Sequence, residues 1–208
     1  MTFNFTIEIF NIYINPITSL IGSFFCLSMY IFLRNSIFGQ SFFFHLRVES
    51  FFMFLNLLIV VIQPISFIPS TSNTYFAVIY CKYFIKYGRS ICEMVVIFSN
   101  VLSGFCCYIF IGNIKFNSIK VMKKKASLYL TLILICSSAM IFIYQLFEFE
   151  IEKLDNSRNS TIIWDIIPSK SHIYSYFGLI SMLIRDGLGM FLLIAMNIIL
   201  LFKVLPNF

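Results

Sequence analysis

Read from its N-terminus, the chain is a succession of long apolar runs separated by short stretches where charged residues gather. Five runs approach the roughly 20 residues that carry a helix across the hydrocarbon core: residues 16–33, 50–69, 91–112, 127–147 and 187–202, the last preceded by a moderately apolar segment at 172–184. Polarity does not alternate within these runs, so they do not read as barrel strands. They are rich in β-branched and aromatic residues, poor helix formers in water. In lipid that handicap is overridden, because an unpaired backbone amide costs several kcal/mol and a lone spanning segment must be helical. The pattern predicts one all-α transmembrane domain of five spans, with residues 148–186 forming a long extracellular loop.

Charge between the runs sets the expected orientation. The first loop carries Arg34, His45 and Arg47; the third carries Lys115, Lys120, Lys123, Lys124 and Lys125 with no acid; Lys203 follows the last span. All fall on one side, which the positive-inside rule makes cytoplasmic. The N-terminus, the loop near Pro69–Tyr80 and the loop after Glu148 then lie outside. That last loop carries Glu148, Glu150, Glu152, Asp155 and Asp165. Sequons at Asn4-Phe5-Thr6 and Asn159-Ser160-Thr161 also land outside, making Asn4 and Asn159 candidate glycosylation sites. Lys82, Lys86 and Arg89 oppose the rule and are expected to snorkel to the interface. A multi-pass protein of the cell membrane is the expectation.

Composition strengthens this picture. Of 208 residues, 60% are hydrophobic and 12% charged, against about 25% charged in soluble domains. A soluble fold of this size leaves too much surface in water to hide so much apolar material. The net charge of +6 sits between spans rather than on one face, so nucleic acid is not an expected partner and membrane lipid is. Five of the six cysteines lie inside apolar runs, as small hydrophobes do; Cys81 stands at the end of one. No metal-ligand spacing, no phosphate-binding glycine loop and no nucleophile elbow occurs. The two histidines, His45 and His172, fall on opposite sides. An enzyme, a cofactor and a metal site are therefore not expected. The N-terminus lacks the basic stretch of a signal peptide, and there is no internal repeat of the transporter kind.

The ionisable and polar residues within the runs are the candidates for function. Glu93 lies two residues inside the third run; an acid there either marks a ligand site or pairs with Arg89 one turn earlier. Asp186, with Arg185, opens the fifth run, and either faces a ligand cavity or marks the membrane boundary at a helix start. Asn56, Gln63, Asn100 and Asn197 read as interhelical hydrogen-bonding groups. Pro64 predicts a kink in the second span. Ser103-Gly104 predicts close approach of a neighbouring helix. Lys123-Lys124-Lys125 sets topology or attracts anionic lipid.

Several of these positions together resemble the first five helices of a rhodopsin-like G-protein-coupled receptor, of the divergent Phe/Ile/Asn-rich invertebrate kind. Gly22-Ser23 sits where such receptors often have Gly-Asn. Leu33-Arg34-Asn35-Ser36 leads to Leu46-Arg47-Val48-Glu49, with Pro64 near the outer end of the second span. Cys81 stands where the family keeps its disulfide cysteine. Phe105-Cys106-Cys107-Tyr108-Ile109 occupies the place of Asp/Glu-Arg-Tyr, with Tyr108 alone matching and the motif arginine absent. The resemblance implies a receptor, partial or degenerate, that senses an extracellular ligand through Glu93 and Asp186 and meets a G protein through the basic inner loop. Cys81, Cys106, Cys107 and Tyr108 are the motif-position equivalents. The outer loop holds no cysteine, so Cys81 is expected to be free. The competing readings are a small transporter or channel subunit and a structural membrane protein.

Overall fold

The computed structural model of the chain describes residues 10–34, 41–66, 74–111, 124–156, 161–168 and 172–204. Five helices there are long and apolar enough to cross a membrane: α1 (Ile12–Leu33), α2 (Phe42–Ile62), α3 (Tyr75–Ile109), α4 (Lys125–Glu148) and α5 (Ile173–Lys203). An antiparallel hairpin, β1 (Phe149–Asn156) and β2 (Thr161–Pro168), joins α4 to α5, with Phe149 opposite Pro168 and Asn156 opposite Thr161. The protein is a multi-pass membrane protein built as an all-α bundle.

Local chemistry explains where the helices begin and end. Pro16 sits where the π-helical turn Phe10–Ile14 gives way to regular α-helix in α1, a break in the ladder at which a missing N–H is tolerated. The hydroxyl of Thr74 accepts a hydrogen bond from the Ala77 N–H at 3.2 Å and so caps the start of α3. The guanidinium of Arg47 donates to the Leu33 carbonyl at 2.5 Å, placing a cation on the negative, unpaired end of α1.

α1 packs on α2 and α2 on α3; α3 in turn packs on both α4 and α5, and α2 also touches α4. α3 is therefore the middle of the bundle, and its Val95 and Ser99 are wholly enclosed. The polarity of the interior is inverted relative to a soluble protein. Among the described residues, eight of the eleven buried polar or charged residues are serines, whereas Phe24, Phe25, Phe191 and Phe202 point outward. Small residues let backbones approach where lipid supplies no hydrophobic drive between helices. Most of the hydroxyls bond to a carbonyl in the preceding turn, as Ser90 does to Lys86 and Ser138 to Leu134.

The helices differ from the sequence expectation at their ends. His45, Arg47 and Glu49, read as loop or loop edge, lie inside α2, because each finds a place on the bundle-facing side: His45 is buried, Arg47 caps α1, and Glu49 accepts from Asn100. Pro64 ends α2 rather than kinking it. The α-helix stops at Ile62 and a 3₁₀ turn, Gln63–Ser66, follows, as expected of a ring that disfavours the helical conformation of the residue before it. α3 starts at Tyr75, sixteen residues before the expected start at residue 91, so Cys81 lies within a helix rather than at its mouth. α5 is one helix from Ile173, which moves Arg185 and Asp186 from its start to its interior and replaces most of the expected 148–186 loop with a hairpin and helix. At a rise of 1.5 Å per residue, the 35 residues of α3 and 31 of α5 extend about 50 Å, well beyond the roughly 30 Å hydrocarbon core. Asn4, Asn159, Lys115, Lys120 and Lys123 lie outside the described residues.

Candidate functional site

At the hairpin end of the bundle, α3 and α5 both change their winding. π-helical turns run over Tyr80–Gly88 in α3 and Leu183–Gly189 in α5. Such turns loosen the regular ladder and often accompany functional sites. Here they flank a cluster of four charges. Arg89 donates from Nε to Glu93 Oε1 at 2.7 Å, one helical turn along. Arg185, reaching across from α5, donates from Nη1 to Glu93 Oε2 at 2.9 Å. Its Nε and Nη2 grip both oxygens of Asp186, at 2.7 and 2.8 Å. Glu93 thus satisfies the pairing with Arg89 read from the sequence and also ties α3 to α5. All four side chains are partly exposed, and charge-assisted bonds of this length are among the stronger and more directional hydrogen bonds.

Above the cluster lies a cavity of about 360 Å³, walled by Lys86, Arg89 and Glu93 of α3, Gln145 and Glu148 of α4, and Phe149 of β1, with Arg185 at its side. The hairpin brings Phe149 under the Lys86 ammonium, 3.0 Å from the ring centroid, a cation–π contact. Gln145 donates to Ser90 Oγ at 3.2 Å and to Tyr144 OH at 3.4 Å, while its Oε1 is buried with no partner. Tyr144 is itself hydrogen-bonded to Ser181 of α5 at 2.9 Å.

From this cluster, α3 and α5 stay in contact to the other end of the bundle. A Cβ on Gly189 would stand 2.9 Å from Ile97 Cγ2, and one on Gly104 would stand 3.7 Å from Met196 Cβ. The close approach expected at Ser103-Gly104 is present, with α5 as the neighbour. At the far end the Lys203 ammonium lies 3.9 Å from the Tyr108 ring centroid.

The structure brings Glu93 and Asp186 into one cluster. Cys81, Cys106 and Cys107 are not part of it: all three are free thiols, Cys106 buried and the others partly so. Asn100 serves as interhelical glue by donating to Glu49 Oε1 at 3.2 Å. Asn56 Oδ1, Glu49 Oε2, His45 Nδ1 and Ser99 Oγ are buried without partners, and Asn197 is exposed. Sequence reasoning missed Arg185 as the bridge, Lys86, Gln145 and Phe149. The one usable signal was the Arg-Asp pair interrupting an otherwise apolar stretch, which is costly unless partnered. No group of three or more His, Cys, Asp and Glu side chains able to hold a metal occurs among the described residues. Neither a protein-family model nor a curated protein matches this chain.

Proposed function

We propose that this chain is a receptor-like protein of the cell membrane that senses an extracellular ligand at the hairpin end of the bundle. The observation that carries the reading is the continuous seam between α3 and α5, running from the Glu93–Arg185 ion pair to Lys203 over Tyr108. A ligand entering the cavity meets Arg89, whose Nε holds the Glu93 that ties the two helices. Their relative packing is then biased along a contact that reaches the opposite ends, where a G protein or similar partner would meet the basic segment near Lys120. Differential contact with two packings is what a switching ligand requires. Layout and the positions around Cys81 and Tyr108 support a rhodopsin-like receptor as the kind.

Spin labels on Cys107 and on a cysteine introduced at Phe202, with the other cysteines replaced, test the coupling. Glu93→Gln, which removes the charged tie, is expected to shift or broaden the label-to-label distance distribution at the far end. A distribution identical to the parent's removes the basis for the proposal.

The second reading, a small transporter or channel subunit, draws on the layer around Glu49, Asn56, Ser99 and Asn100, whose unpartnered buried atoms would suit a path for a polar solute. Of the polar residues expected to line such a path, Glu93 is closed within the ion-pair cluster and Asn197 is exposed.

A further inference from the structure

Resting on that reading of the cavity, we infer that its ligand is a small organic carboxylate bearing a neighbouring hydroxyl or amino donor. Both oxygens of Glu93 are taken, one by Arg89 and one by Arg185. Three nitrogens of Arg185 are taken by Glu93 and Asp186. The cluster below the cavity is therefore closed upon itself and offers a ligand little. What remains open sits at the cavity wall. Arg89 uses only Nε, leaving its two terminal nitrogens as a fork, the geometry that matches a carboxylate. Lys86, three residues away on the same helix face, rests on the ring of Phe149 and has no ion pair among the described residues. Glu148 is the one acid of the wall outside the cluster and interacts electrostatically with Lys86, so recognition here rests on the directed fork of Arg89 rather than on an excess of positive charge.

Gln145 sets the second half of the ligand. Its amide nitrogen is committed to Ser90 and Tyr144, which fixes the orientation of the group, and its Oε1 is a buried acceptor without a donor. A buried polar atom left unpaired is costly, and a hydroxyl or ammonium beside the carboxylate would satisfy it. With an ammonium, Glu148 supplies the counter-charge. A cavity of about 360 Å³ suits a molecule of roughly the size of a drug fragment or smaller.

The test is equilibrium binding of mandelate to the full chain in lipid nanodiscs, with phenylacetate, which lacks the hydroxyl, and mandelamide, which lacks the charge. Saturable mandelate binding, at least tenfold tighter than mandelamide, is expected. Arg89→Gln should weaken mandelate at least tenfold. Lys86→Gln, which touches no ion pair and so guards against a folding defect, should weaken it severalfold. Gln145→Leu should erase the preference of mandelate over phenylacetate while leaving phenylacetate binding in place. Phenylglycine binding better than mandelate would assign the donor as an ammonium on Glu148, within the same class. Equal binding of acid and amide, indifference to both Arg89→Gln and Lys86→Gln, or no saturable binding by any of these acids up to millimolar concentration overturns the inference. Failure here with a positive result from the Cys107–Phe202 distance measurement leaves the receptor reading standing and removes only the ligand class.

Discussion

At the scale of single residues, the chain spends its few charges where partners are within reach. Glu93 accepts from two guanidinium groups on two helices, so its removal is felt by both. Hydrogen bonds to charged groups contribute about 1.5–3 kcal/mol each. Glu93→Gln and Arg185→Gln are each expected to destabilise the detergent-solubilised protein by about 1–3 kcal/mol, and the double variant by less than the sum of the two. Thermal unfolding of the three variants forms a double-mutant cycle, and strict additivity would show that the 2.9 Å contact carries no energy. The glycines of the seam make a sharper pair. A methyl on Gly189 meets Ile97 Cγ2, a group fixed close to the backbone, at 2.9 Å, while one on Gly104 finds ordinary contacts at 3.7 Å or more. Gly189→Ala should cost about 1–3 kcal/mol through overpacking and be partly rescued by Ile97→Ala, whereas Gly104→Ala should stay within about 0.5 kcal/mol of the parent. Equal effects at the two sites would contradict the packing described.

At the scale of elements, helix ends follow capping and proline chemistry more closely than hydropathy. Hydropathy marks where a segment can cross lipid; it is silent about helix that continues into water or into the bundle. Thus α3 begins at a Thr74 cap well before its apolar core, and α2 stops at Ile62 although the expected span runs to residue 69. Cys81 illustrates the consequence, since it is part of α3 and partly exposed rather than a loop cysteine awaiting a partner. A membrane-impermeant maleimide should label Cys81 on the hairpin end of the bundle without prior reduction; labelling that appears only after a reductant would mean a disulfide. The hairpin was equally hidden. Its strands mix acidic, basic and apolar residues, and they pair with each other from Phe149 opposite Pro168 to Asn156 opposite Thr161.

At the scale of the whole molecule, the outward aromatic surface and serine-rich interior describe a bundle that lipid completes. Lys124 and Lys125 stand at the start of α4, at the end opposite the acidic hairpin, and the positive-inside rule predicts that the hairpin end lies outside. Glycosylation mapping in a eukaryotic membrane should find Asn159 modified and an engineered sequon beside Lys120 unmodified. The reverse pattern would invert the molecule and place the Lys86–Arg89 cavity on the cytoplasmic side.

The number of spans, their helical nature, their order and the partnership of Arg89 with Glu93 are properties of the sequence alone. The first three follow because apolar runs of membrane length have one way to satisfy their backbone in lipid, and the fourth because residues one turn apart share a helix face. That Arg185 reaches Glu93, that Phe149 lies under Lys86, and that Gln145 closes the same cavity are decided only in three dimensions. These contacts join residues separated by dozens of positions, and nothing local in the chain records which helices become neighbours. Small side chains at Gly189 and Gly104, and the central place of α3, determine that choice through close packing.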